Sequence, residues 1–240
     1  MPRFRSFSGR RLVVLAALVV LSLTVVAMVA VRVNQTGYDT YSNLVWNLFL
    51  AWIPLGLALV IYDGAKRGLG AVWVVVFAGL WLLFFPNAPY LTTDMKYLRE
   101  LGGAPLWYDV SLTGLAAFTG LALGLVSLYL VHSVARTYFG AILAWVGVWA
   151  VLALSSIGVF LGRFQRFNSW DVFTDPGPIL GDVAKGLADP LNYPRTLAVT
   201  VVFGGFLIAS YLVFYALAQV TASPGTEVAR EGETPRSSRS

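Results

Sequence analysis

Long apolar runs separated by short polar breaks fill most of the chain, and their lengths predict helices that cross a membrane. Six runs qualify, at residues 12–31, 44–62, 69–85, 110–131, 138–161 and 197–218. A helix needs about 20 residues, range about 17–25, to span the hydrocarbon of a bilayer. The third run is the shortest and stops at Pro86. None of the runs alternates as a barrel strand does, and in lipid only helices and closed barrels satisfy their own backbone. The pattern predicts an all-α fold: a polytopic transmembrane helix bundle of six spans over residues 1–218.

Two polar stretches interrupt this pattern. Pro86-Asn87-Ala88-Pro89-Tyr90-Leu91-Thr92-Thr93-Asp94 follows the third run, and the stretch from Gly162 to Asp171 follows the fifth. Six crossings place both on one side. Asn87 is expected to cap a helix from Ala88 to Leu101, with Pro89 in its first turn. Leu91, Met95, Leu98 and Leu101 would form its apolar face, and Asn87, Tyr90, Asp94 and Tyr97 a polar stripe. A second short amphipathic helix is expected over 179–188, bracketed by Pro178 and Pro190.

Composition strengthens the membrane reading. The chain is 58% hydrophobic and 12% charged, against about 25% charged in soluble domains. A soluble core would leave large apolar patches in water. The absence of cysteine excludes disulfides and thiolate metal sites, and the single histidine, His132, removes His-cluster metal chemistry. No metal or cofactor is predicted. His132 falls at the end of the fourth run, where a solvated interfacial role is expected.

The net charge of +5 sits at the termini and in short loops, so it reports topology and not nucleic acid. With the N-terminus inside, ten Lys/Arg stand against four acids within, and seven against eight outside. The positive-inside rule favours this orientation, a multi-pass protein of the cell membrane with both termini cytoplasmic. Arg3, Arg5, Arg10 and Arg11 before an apolar run resemble a signal peptide. The run is longer than the usual ~7–15-residue core, and no Ala-x-Ala site closes it, so it reads as an uncleaved span. Residues 219–240, polar and charged, are expected to form a disordered cytoplasmic tail.

Chemistry concentrates at the outer ends of the spans. On a continuing helix the i, i+3 spacing of Arg163 and Arg166 puts two guanidinium forks on one face, which suits a phosphate or carboxylate. Asn87, Tyr90, Asp94, Asn168 and Asp171 complete a candidate ligand-binding set. The bland alternatives are snorkelling to lipid phosphates and structural pairing of Asp94 with Arg163 or Arg166, since ion-pair networks imitate functional sites. Trp46, Trp107, Trp170, Tyr90 and Tyr108 fit an aromatic belt. Asn47 and Pro54 suggest an interhelical hydrogen bond beside a kink. Thr113, Ala117, Gly120 and Gly124 make a small-residue seam for helix packing.

Four blocks in order resemble the DUF1361 family of predicted membrane proteins. They are residues 46–54, Phe85-Pro86-Asn87-Ala88-Pro89-Tyr90 with Asp94, Pro105-Leu106-Trp107-Tyr108-Asp109, and Gly162-Arg163-Phe164 with Arg166 and Asn168-Ser169-Trp170-Asp171. The resemblance covers roughly residues 40–215 and implies no particular activity. Where the family pattern tends to carry a histidine this chain has Tyr97, so no imidazole stands at that position.

The residues support best an integral membrane protein with an extracytoplasmic polar pocket for an anionic or lipid-linked ligand. Membrane lipid is the expected surrounding partner. One alternative is a membrane enzyme using Asp94 or Asp171 as acid or base. Another is an accessory subunit whose motifs meet a membrane protein partner. The lack of an internal repeat and of polar midplane residues counts against ion-coupled transport.

Overall fold

The described residues of the computed structural model, 8–39, 41–94, 104–165, 177, 181 and 194–220, are almost wholly helical. Helix α1 runs over Ser8–Thr36, α2 over Ser42–Lys66, α3 over Ala71–Phe84, α4 over Asn87–Tyr90 and α5 over Leu106–Phe160. A π-helical turn, Leu161–Gln165, extends α5, and α6 covers Pro194–Val220. The expected amphipathic helix at 179–188 lies outside the described residues apart from Gly181, and so does the tail expected over 219–240 apart from Gln219 and Val220, which are not tail but the last residues of α6.

Five helical stretches among the described residues are long and apolar enough to cross a membrane: Arg11–Thr36, Ser42–Lys66, Val72–Asp94, Leu106–Arg163 and Leu197–Val220. The run lengths predict six. The difference lies in α5, which takes in both the fourth and the fifth runs. A straight helix of its 55 residues would be about 82 Å long, against about 30 Å for the hydrocarbon layer.

Gly140 interrupts it, with φ 80° and ψ 173°. That backbone region is essentially reserved for glycine. Thirteen residues of straight helix would put His132 and Trp145 about 20 Å apart, yet their ring centroids lie 4.7 Å apart. The chain therefore doubles back at Gly140, giving α5 two arms, 106–139 and 141–160. The break between the fourth and fifth runs, 132–137, where a connecting turn is expected, is instead helical, because it contains neither glycine nor proline and the first glycine after it is Gly140.

Chain direction sorts the polar residues onto two ends. One end collects the start of α1, the end of α2, the Gly140 reversal and the end of α6. The other collects the end of α1, the start of α2, α4, the start of α5 and the π-turn.

Helix α2 lies at the centre, packed on α1, α3, α4 and α5. Leu44, Leu48, Ala51, Leu55 and Ala58, spaced three and four apart, are all buried, as one helix face should be. Pro54 leaves a gap in the helix ladder, and its own carbonyl accepts a 3.2 Å bond from Ser127 Oγ. That hydroxyl accepts a 2.6 Å bond from Trp81 Nε1, so three helices meet beside the proline. The outward faces stay apolar: Val72, Trp73, Ile142 and Val202 are exposed. Such a surface calls for a lipid solvent.

His132 is not solvated as expected. It is buried, with Nδ1 2.7 Å from Tyr211 Oη. The helix continues past it, which turns the ring into the bundle and away from a loop.

Candidate functional site

Phe84 ends α3, and Pro86 follows with no N–H to continue the ladder. The next residues form the single turn α4 and then a tighter 3₁₀ turn over Leu91–Asp94. This short, irregular segment is driven deep into the bundle: Ala88, Leu91 and Asp94 are fully buried. The small-residue seam of α5 makes that possible. A Cβ on Gly120 would stand 2.5 Å from the Ala88 carbonyl oxygen, and one on Gly158 would stand 2.9 Å from Pro86 Cγ. Helix packing is thus the role of the seam, and α4 is its partner.

Asn87 does not cap a helix beginning at Ala88. It lies inside α4, and its Nδ2 donates a 3.0 Å bond back to the Phe84 carbonyl. The Ala88 N–H donates to the Phe85 carbonyl, which leaves the Phe84 carbonyl open to the Asn87 amide. Of the helix expected to reach Leu101, only the part to Asp94 lies within the described residues.

The buried segment delivers Asp94 to Arg163. Arg163 Nη2 donates to Asp94 Oδ1, and Arg163 Nε donates a 2.8 Å bond to Thr93 Oγ1. Asn47 Nδ2 reaches Asp94 Oδ2 from α2 at 3.1 Å. The Arg163 guanidinium carbon lies 4.4 Å from the centre of the Tyr90 ring, a cation–π distance. Both ionic side chains are almost fully buried, at 6% and 1% exposure. Arg163 therefore does not snorkel, and Tyr90 stacks under a cation instead of joining an interfacial belt. Trp46 and Trp107 remain exposed, as a belt requires.

The π-turn carries Arg163 on a widened backbone, a local irregularity often found at functional positions. Its third nitrogen, Nη1, is buried with no hydrogen-bond partner among the described residues. The structure thus brings together Tyr90, Asp94, Arg163 and Asn47, while Asn87 donates to the Phe84 carbonyl. Arg166, Asn168 and Asp171 lie outside the described residues.

A second buried ion pair stands at the same end. Arg32 Nε and Nη2 donate to the two carboxylate oxygens of Asp109 at 2.7 and 3.1 Å. The guanidinium carbon lies 4.4 Å from the Tyr41 ring centre. Burial first, and the Asp109 carboxylate second, push the Tyr41 phenol up to about 12. Tyr108 Oη donates a 2.8 Å bond to the Met28 carbonyl beside it. In the sequence Arg32 stands only as one of the seven outer Lys/Arg of the charge count. The usable signal was its position one residue past the first apolar run, matched by Asp109 one residue before the fourth.

A third pair, Arg11–Asp63, lies at the opposite end, two-pronged at 2.6 and 2.8 Å and partly exposed. Among the described residues no group of three histidines or acids is placed to hold a metal ion.

No curated protein and no solved structure matches the chain. The model of the DUF1361 family, described as a protein of unknown function, matches residues 46–210; that range takes in Asn47, the buried Pro86–Asp94 segment, Asp109 and Arg163, and the chain belongs to this family.

Proposed function

We propose that the protein is an integral membrane protein of six crossings, with an extracytoplasmic polar site at the Arg163 end for an anionic or lipid-linked ligand. The observation that carries the site is Arg163 Nη1, buried without a partner among the described residues. An unmatched buried donor costs stability, and an incoming acceptor oxygen relieves that cost. Asp94, Thr93 and Tyr90 hold the guanidinium in place, and Asn47 holds Asp94. Arg166, Asn168 and Asp171, close by in sequence, complete the ligand set.

Both Asp94 oxygens already accept hydrogen bonds. That favours a positioning role over general acid or base work. The sixth crossing comes from the Gly140 reversal, which divides α5 into two arms of membrane length. The Lys/Arg bias supports cytoplasmic termini.

The test is lipid co-purification, read by mass spectrometry, for the parent and for Arg163→Lys. Lysine keeps the charge and loses the planar fork, so retained anionic lipid should fall severalfold. Equal retention in the two proteins would remove the anion-site reading. Sidedness is checked with single cysteines at Ser6, Thr226 and Ser169, where only the last should react with an impermeant reagent in intact cells.

A further inference from the structure

His132 is the only histidine of the chain, and it stands where three helical segments meet. It lies on the first arm of α5, about two turns before the reversal at Gly140. Its ring centroid is 4.7 Å from that of Trp145 on the second arm and 5.5 Å from that of Tyr215 on α6. Nδ1 is 2.7 Å from Tyr211 Oη, also on α6. Nε2 is buried and has no hydrogen-bond partner among the described residues.

The charged group facing the ring is Arg136, one turn further along the same arm, which itself donates to Tyr215 Oη. Tyr211 and Tyr215 are the titratable groups that α6 brings to the ring, and Trp145 comes from the second arm. No carboxylate among the described residues faces it.

This arrangement suits a neutral imidazole. One ring nitrogen is matched to the Tyr211 hydroxyl, and the apolar faces pack on aromatic rings. A second proton gives the ring two donors and a charge. One donor then has no acceptor, and the charge meets the like charge of Arg136. Attraction to the rings of Trp145 and Tyr215 returns part of that cost, but a severalfold smaller part than burying an unpaired charge demands. The protonated ring is relieved by turning out of the bundle, which breaks its bond to Tyr211 and its contact with Trp145. Ionisable residues at membrane depth commonly serve function, and histidine is the side chain that changes charge near neutrality.

We propose that His132 is a proton-operated latch: while its ring is neutral it holds α6 against the Gly140 reversal, and protonation releases Tyr211 and loosens that end of the bundle. The geometry couples one proton to the seating of a whole helix, a local charge change with a wider readout.

The absence of cysteine allows a direct test. A cysteine replacing Leu207, which is buried, is compared with one replacing Leu217, which is exposed. The ratio of their labelling rates cancels the pH dependence of the thiol reagent. Between about pH 8 and about pH 4, a range that starts above an ordinary imidazole and ends well below it, the buried-to-exposed ratio should rise severalfold in the parent and stay flat with His132→Gln. A flat ratio in the parent overturns the latch, as does an equal rise in the Gln variant. If that variant does not fold, the ring signal of the parent's one histidine, read by NMR on protein without a histidine tag, decides the matter. A labelling ratio that follows ring protonation supports the latch, and one that moves independently of it overturns it.

Discussion

The ion pairs Arg32–Asp109 and Arg163–Asp94 share a plan and differ in their footing. Each sets a guanidinium 4.4 Å from a tyrosine ring centre and leaves Nη1 buried without a partner among the described residues. Arg32 grips Asp109 with two prongs, and both residues sit on regular helix. Arg163 divides its donors between Asp94 and Thr93, shares Asp94 with Asn47, and rides on a π-turn facing a 3₁₀ turn. Regular helix on both sides makes a clamp. Irregular backbone on both sides, holding a divided set of hydrogen bonds, leaves room for rearrangement around a ligand. The first pair fixes α1 to the bundle, and the second defines the candidate site.

Removing one partner of the clamp should have the largest effect. Arg32→Ala or Asp109→Asn strands a buried charge or a buried guanidinium, a change that typically costs about 3–5 kcal/mol. Thermal unfolding in detergent should show it as a large fall in Tm, and a change near zero would deny the clamp. A smaller effect is expected from Gly120→Ala, whose new methyl meets the Ala88 carbonyl oxygen. Overpacking costs about 1–3 kcal/mol, and here it pushes directly on the segment that carries Asp94. Lipid retention should then fall together with stability. If stability falls alone, the link between the seam and the site is wrong. The smallest effect belongs to Arg11→Ala at the opposite end. That pair is partly exposed, so its loss should cost only about 0–1 kcal/mol. A loss as large as that for Arg32 would mean the two ends are held alike.

The helical class and the apolar exterior were legible in the sequence because run length and lipid chemistry leave few alternatives. The pairing of Asp94 with Arg163 was legible too, since both follow apolar runs that end on the same side. Arg32 was missed because a charge one residue past an apolar run reads equally as a loop residue. Burial of that charge depends on Asp109, which lies far away in sequence. His132 was misread for a related reason: the chain was expected to turn at 132–137, whereas helix persists to Gly140. A shift of a few residues in a turn decides whether a side chain meets water or the bundle. The depth of the Pro86–Asp94 segment was hidden because Gly120, Gly124 and Gly158 record only that something approaches closely, not what does.

The separation of Arg32 from Asp109, 77 residues along the chain, has a consequence for biogenesis. If α1 enters the bilayer as the chain is made, at about 5–20 residues per second, its arginine is exposed before its carboxylate exists. The interval is on the order of 4–15 s at that rate. During it the guanidinium must borrow lipid phosphate or water at the boundary. Synthesis of the start of α5 then withdraws it into the protein, so the order of translation itself stages the closing of the clamp.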